Sequence, residues 1–197
     1  MLRRGKTFVG FGFGPIQSGL FLYEAYCSGN FDRYVIAEVD AAIVSAVRAA
    51  GGRYAINIAH PDRIEKVVVD GVRLCHPAEE SDRHELVQAI AAADEMATAL
   101  PSVRFYDTGD SASVARLIAD GFQRRDPPKP VIIYAAENHN RAAEILSERL
   151  SALVRADVLA KVQMLNTVIG KMSGMITDTD TIRRLDLAPL TPNTPQA

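Results

Sequence analysis

A chain of 197 residues, 48% of them hydrophobic, can bury one sizeable core and suits a single domain with an appendage. Its charges are interspersed and sum to −2, with no basic patch among aromatics, so no nucleic-acid partner is expected. No run of about 18 apolar residues is present to span a membrane. Cys27 and Cys75 each sit inside an apolar segment and read as buried free thiols of a reducing, cytoplasmic compartment.

Leu2-Arg3-Arg4 precedes a short apolar run broken by glycines, which is not a secretory leader. Residues 7–9 read as a buried strand that runs into Gly10-Phe11-Gly12-Phe13-Gly14-Pro15. From Pro15 onward, Ile16, Leu20, Tyr23 and Cys27 recur at helical spacing. The glycines therefore stand where a strand hands over to a helix. Such a turn lets the backbone approach phosphates, while amides at the helix start meet their charge. The strict G-x-G-x-x-G pattern would need glycine at position 17, where this chain has Gln17; the later glycine is Gly19. Taken alone, the turn equally fits one that binds nothing.

Residues 34–39 read as a second buried strand with an acid, Glu38, near its end. Asp40 can cap a helix that closes at Gly51-Gly52. Glu38 follows Gly14 at close to the roughly 20 residues expected of the acid that accepts the ribose hydroxyls of a dinucleotide. A carboxylate there repels a 2′-phosphate, which favours NAD over NADP. Residues 54–58, 64–69 and 72–75 alternate like strands, and Asp70-Gly71 between the last two predicts a hairpin turn. His60 and His76 bracket this excursion as loop histidines. A helix is expected over 80–93, then a short strand over 96–100 whose Thr98 can lend a hydroxyl near the far ribose.

Residues 103–106 form a strand or turn, and a helix carries Val114, Leu117, Ile118 and Phe122 inward. A charged, proline-rich loop over 124–130 leads to the strongest strand, 131–136, which ends in Glu137-Asn138-His139. A helix from Ala142 and a last strand over 162–165 follow. Beyond about residue 170 the pattern fades. Asp178-Thr179-Asp180 can cap one helical turn, and Pro189, Pro192 and Pro195 give an extended tail. The expected architecture is α/β, a Rossmann-type, doubly wound and mostly parallel sheet with an inserted β-hairpin and an extended C-terminal tail. The dinucleotide-binding domain would occupy 1–170, and 171–197 would be a linker. Asp107, Asp110 and Asp126 read as scattered loop acids, and the histidines and cysteines lack metal-ligand spacing. No G-x-S-x-G elbow is present.

Three features stand together: Gly12-Phe13-Gly14-Pro15-Ile16-Gln17-Ser18-Gly19, Glu38 after strand two, and Glu137-Asn138 after the strongest strand. In this the chain resembles, over about residues 6–170, the amino-terminal domain of the mannitol dehydrogenase family, polyol-specific long-chain dehydrogenases that include mannitol-1-phosphate 5-dehydrogenases. The first family motif is matched at Gly12, Gly14, Ile16 and Gly19, whereas Ser18 replaces an arginine. The resemblance implies NAD(P)-dependent oxidation of a polyol or polyol phosphate. It implies cofactor contacts from Gly12, Gly14, Ile16, Gly19, Glu38 and Glu137, to which the turn adds Gln17 and the strand reading adds Thr98, and it implies Asn138 as the amide near the reacting oxygen. In this family the catalytic lysine comes from a second, helical domain. Lys161 and Lys171 map onto no such lysine, so the expectation is a cofactor half whose chemical half lies in an absent domain or partner chain. A chain of this kind would turn over little polyol by itself. It could also self-associate through a surface holding Met164, Met172 and Met175. Two other readings share the turn and the acid: a non-catalytic nucleotide sensor and an S-adenosylmethionine-dependent methyltransferase.

Overall fold

The computed structural model describes residues 5–125, 127 and 129–197. The Leu2-Arg3-Arg4 reading and Asp126 therefore lie outside the described residues. Strands β1 (Lys6–Phe11), β2 (Phe31–Ala37), β5 (Val72–Cys75), β6 (Glu95–Thr98), β7 (Val131–Ala135) and β8 (Val162–Asn166) form one sheet in the order β5-β2-β1-β6-β7-β8. Every neighbouring pair in it is parallel. This is the doubly wound order, with the winding reversing between β1 and β6.

Alternation along each strand sends residues to opposite faces. Val9, Phe11, Val35, Met96 and Ile133 pack under α3 (Glu80–Ala92), α4 (Val114–Gln123) and α5 (Ala142–Ser151). Phe8, Tyr34, Ile36 and Ala97 face the other layer, built from the first helix and α2 (Ala41–Ala49). A parallel sheet must be covered on both faces, which is why its strands read as continuous apolar runs. The first helix opens as a π-turn over Gln17–Phe21 before continuing as α1 (Leu22–Cys27).

The hairpin differs from the sequence reading. Strand β3 (Tyr54–Ala59) pairs antiparallel with β4 (Ile64–Val69), so the reversal lies between Ala59 and Ile64. Asp70-Gly71 does turn the chain, with Gly71 at φ +73°. It delivers Val72–Cys75 to the edge of β2, where Tyr34 meets Val72 and Ala37 meets Cys75. Burial of Val72, Leu74 and Cys75, and pairing of the otherwise open edge of β2, outweigh the local hairpin preference. The expected strand or turn over 103–106 is a 3₁₀ turn, Val103–Tyr106.

The carboxyl-terminal segment is not an extended tail. Its short helix, Thr179–Arg184, is capped by Asp178. Beyond it, Asn57 exchanges two hydrogen bonds with Ala188, and the amide of Ala55 donates to the Leu190 carbonyl. Leu190 is buried in the same core as Phe8 and Tyr54. Earlier in the segment, the Ser173 hydroxyl donates to the Pro15 carbonyl at 2.8 Å. Residues 171–197 thus strap the hairpin and the first helix. Cys75 is buried as expected, with burial pushing its thiol up to about 12, but Cys27 is exposed at the end of α1. No helix among the described residues is long and apolar enough to cross a membrane.

Candidate functional site

The strand register sets the site. Phe11 lies beside Ala37 and Thr98, Ala37 beside Cys75, and Thr98 beside Ala135, so five strands end in one row. The next residue of each, Gly12, Glu38, His76, Ala99 and Ala136, lines a single cleft of about 760 Å³. A cleft at the carboxyl ends of the strands, across the point where the winding reverses, is where doubly wound folds take ligands.

Gly12 holds the two halves together. Its amide donates to the Ala37 carbonyl at 2.8 Å, and Ala99 donates to the Phe11 carbonyl at 3.0 Å. Its φ is +82°, and a Cβ there would stand 2.9 Å from the Ala99 carbonyl oxygen, so only glycine fits. Gly14 is different: its φ is not positive, it lines the cleft, and a Cβ there would meet no protein atom within 4 Å. The bare side of Gly14 therefore faces open space, and among the described residues no protein acceptor meets its amide or that of Ile16.

Glu38 is buried and faces the glycine turn. Its Oε2 accepts from the Phe13 amide at 2.6 Å and its Oε1 from the Asp40 amide at 2.7 Å. Each oxygen keeps a second lone pair for a hydroxyl in the cleft. Asp40 turns its own carboxylate to the amides of Ala42 and Ile43 as the cap of α2. The hairpin braces this turn: the Phe13 ring stands edge-on to Tyr54 at 4.9 Å, and the Tyr54 hydroxyl donates to the Ser18 carbonyl.

Of the residues expected at a cofactor, Gly12, Gly14, Ile16 and Glu38 line the cleft. The other four lie elsewhere. Gln17 is wholly buried beneath the π-turn against Gly10, and neither atom of its amide has a partner among the described residues. Gly19 faces Ser173 of the strap. Thr98, the last residue of β6, is wholly buried, with its hydroxyl beside that of Tyr106. The same hydroxyl donates to Glu137 at 2.9 Å. Glu137, 4% exposed, also accepts from the Tyr106 hydroxyl and from the Leu100 amide at 3.0 Å. Burial, reinforced by the Glu137 carboxylate, holds the Tyr106 phenol far above its usual range, so it stays a donor. Through Leu100 this network fixes the Ala99–Pro101 wall of the cleft. Asn138 is exposed two residues beyond Ala136. Lys171 donates to the Gly19 carbonyl and faces Glu24 and the Tyr23 ring.

The sequence reading missed His76 and Asp110 as cleft residues, and Met175, which contributes a wall from the strap. The rule that the residue after each parallel strand lines the site would have found His76. Nothing local marks Asp110 or Met175, which arrive through tertiary folding. Glu38, Asp40 and Asp110 line the cleft, and among the described residues no lysine or arginine does. Of the suspected methionine surface, Met172 is 99% exposed, whereas Met164 packs against the core. No protein-family model matches the chain, and a comparison with curated proteins found no match.

Proposed function

We propose that this chain binds NAD as the cofactor domain of a polyol-type dehydrogenase. The observation that carries the reading is the cleft itself: Gly12, Gly14 and Glu38 meet at the reversal point of a 3-2-1-4-5-6 parallel sheet. The residues present fit such a group. The open face of Gly14 admits a pyrophosphate to the free amides of Gly14 and Ile16, so the phosphate charge is met by backbone dipoles rather than side-chain cations. Glu38 accepts the ribose hydroxyls on its remaining lone pairs and repels a 2′-phosphate, which favours NAD over NADP. The far half of the cleft, between Ala99–Pro101 and Ala136, takes the nicotinamide, which supplies hydride acceptance when bound. Asn138 lies exposed in the loop beyond Ala136, outside the residues that line the cleft, and its role as an amide donor to a substrate oxygen rests on the family resemblance alone. The base for that substrate, a polyol or polyol phosphate, would come from a second domain or partner chain.

A second reading is favoured by the three carboxylates, which suit a cationic ligand such as S-adenosylmethionine. Titration calorimetry with NAD, NADP and S-adenosylmethionine decides between the two. The expected result is binding of NAD at least about tenfold tighter than NADP, with that preference lost in Glu38→Ala. Preferential binding of S-adenosylmethionine would refute the dehydrogenase reading.

A further inference from the structure

The two edges of the main sheet are finished differently. At β5 the outward groups are engaged: the Val72 amide donates to the Gly52 carbonyl at 3.0 Å, and the Leu74 carbonyl accepts from the Arg48 guanidinium at 2.8 Å. At β8 they are open. The ladder from β8 to β7 is flanked by the Val131 amide donating to the Lys161 carbonyl and the Thr167 amide donating to the Ala135 carbonyl. The inward groups thus belong to the odd-numbered residues of β8. Val162, Met164 and Asn166 turn their N–H and C=O groups away from the sheet. Among the described residues nothing meets those groups. Asn166 commits its side chain to the Ala143 amide and Glu144 and so does not cover the edge.

An open edge is a template for a further strand unless charge or a bulge blocks it. Val162–Asn166 contains no charged residue. The hairpin edges are guarded. The strap covers β3, and Ala55, opposite Val68, sends its amide out of the hairpin to Leu190, so Lys66 is an outward residue of β4. Two copies joined along β4 would set Lys66 against Lys66, and like charges directly opposite destabilise a ladder. The corresponding centre of β8 is Met164.

We propose that two copies of this chain pair antiparallel along β8 about a two-fold axis at Met164, joining their sheets into one. In that register Met164 faces Met164 of the second copy and Val162 faces Asn166, so every outward N–H meets a C=O. Sliding either copy by two residues shortens the ladder. The two-fold makes the edge its own complement, which is why a second copy is the occupant. On the face away from α5, Gln163 of each copy stands across from Leu165 of the other. Leu165 is half-buried beside Tyr134 and gains cover there. None of Val162–Asn166 lines the cleft, so the pairing leaves it open and is independent of what it binds. A ribbon of 5 residues a side is far smaller than the roughly 20–30 residues of a standard interface, so association is weak and concentration-dependent.

Sedimentation velocity of the full chain from micromolar to millimolar concentration should show a shift from monomer to dimer. Gln163→Lys changes an exposed side chain and puts like charges on one face of the ribbon; it should stay monomeric over that range, with thermal denaturation unchanged. The register is read by cysteines in a Cys27→Ala background. Positions 163 and 165 of opposite copies would be non-hydrogen-bonded partners with Cα atoms about 4.5 Å apart, within reach of a disulfide. Mild oxidation should therefore link two chains carrying both Gln163→Cys and Leu165→Cys, and neither single variant. A wild type that remains monomeric at millimolar concentration overturns the proposal. So does a dimer that survives Gln163→Lys without a 163–165 disulfide, which would place the contact on another face. A disulfide in either single variant overturns the register centred on Met164.

Discussion

Substituting Gly12 and Gly14 one at a time separates what the turn needs for folding from what it leaves open for a ligand. Gly12→Ala forces an L side chain to φ +82° and presses its Cβ to 2.9 Å from a backbone oxygen that cannot rotate away. The left-handed conformation costs about 1–2 kcal/mol. The overpacking against Ala99 adds roughly 1–3 kcal/mol. A loss of about 2–5 kcal/mol is therefore expected. Gly14→Ala meets no atom within 4 Å and requires no positive φ. Its only effect on folding is the lower entropy of the unfolded chain, worth about 0.4–1 kcal/mol in favour of the native state. Its methyl group nevertheless stands in the cleft, where a pyrophosphate would lie against the backbone. Urea denaturation should show Gly12→Ala clearly destabilised and Gly14→Ala as stable as wild type or slightly more so. Calorimetry should show NAD binding weakened at least about tenfold in Gly14→Ala, equivalent to about 1.4 kcal/mol. Undiminished NAD binding by Gly14→Ala would place the phosphates elsewhere, and an unaffected stability of Gly12→Ala would contradict the close contact between β1 and β6.

The strap makes a stability prediction of its own. Leu190 is 3% exposed in the core beneath the hairpin, so Leu190→Ala should cost about 2–5 kcal/mol in chemical denaturation; a change below about 0.5 kcal/mol would mean that the segment is not part of the folded core. Asp82 supplies a pH dependence. Burial opposes its ionisation, but the His76 amide at 2.7 Å and the Arg48 guanidinium at 2.5 Å outweigh that and hold its carboxyl below the usual range. A group with a lowered folded pKa stabilises above its unfolded value, near roughly 3.9, and loses that contribution as pH falls through the folded value. Stability should therefore drop from about pH 5 downward, with a shallower slope in Asp82→Asn, which at neutral pH should be less stable by about 1.5–3 kcal/mol. Parallel stability curves for the two proteins over that acid window would refute the assignment.

Much of this protein is decided locally. The glycine turn, the acid after β2, the capped helix after it and the apolar strand runs follow from steric freedom at glycine, the capping geometry of Asp40 and the double-sided burial of a parallel sheet. Those rules act over a few residues, so Gly12, Gly14, Ile16 and Glu38 could be assigned to one site from their order alone. Other features depend on contacts between distant residues. The partner of Val72–Cys75 is set by the open edge of β2, not by the Asp-Gly turn before it. Thr98, read as lending a hydroxyl near the far ribose, and Glu137, placed at the cofactor by the family resemblance, are bonded to each other, because a buried carboxylate must find donors within the fold. Asp110 and Met175 reach the cleft only when α4 and the strap have packed. Leu190 becomes core because the hairpin leaves an apolar surface that the carboxyl-terminal segment covers. The turn and its acid were written in residues close in the chain, whereas the far walls of the cleft were decided by which surfaces had to be covered once the sheet had formed.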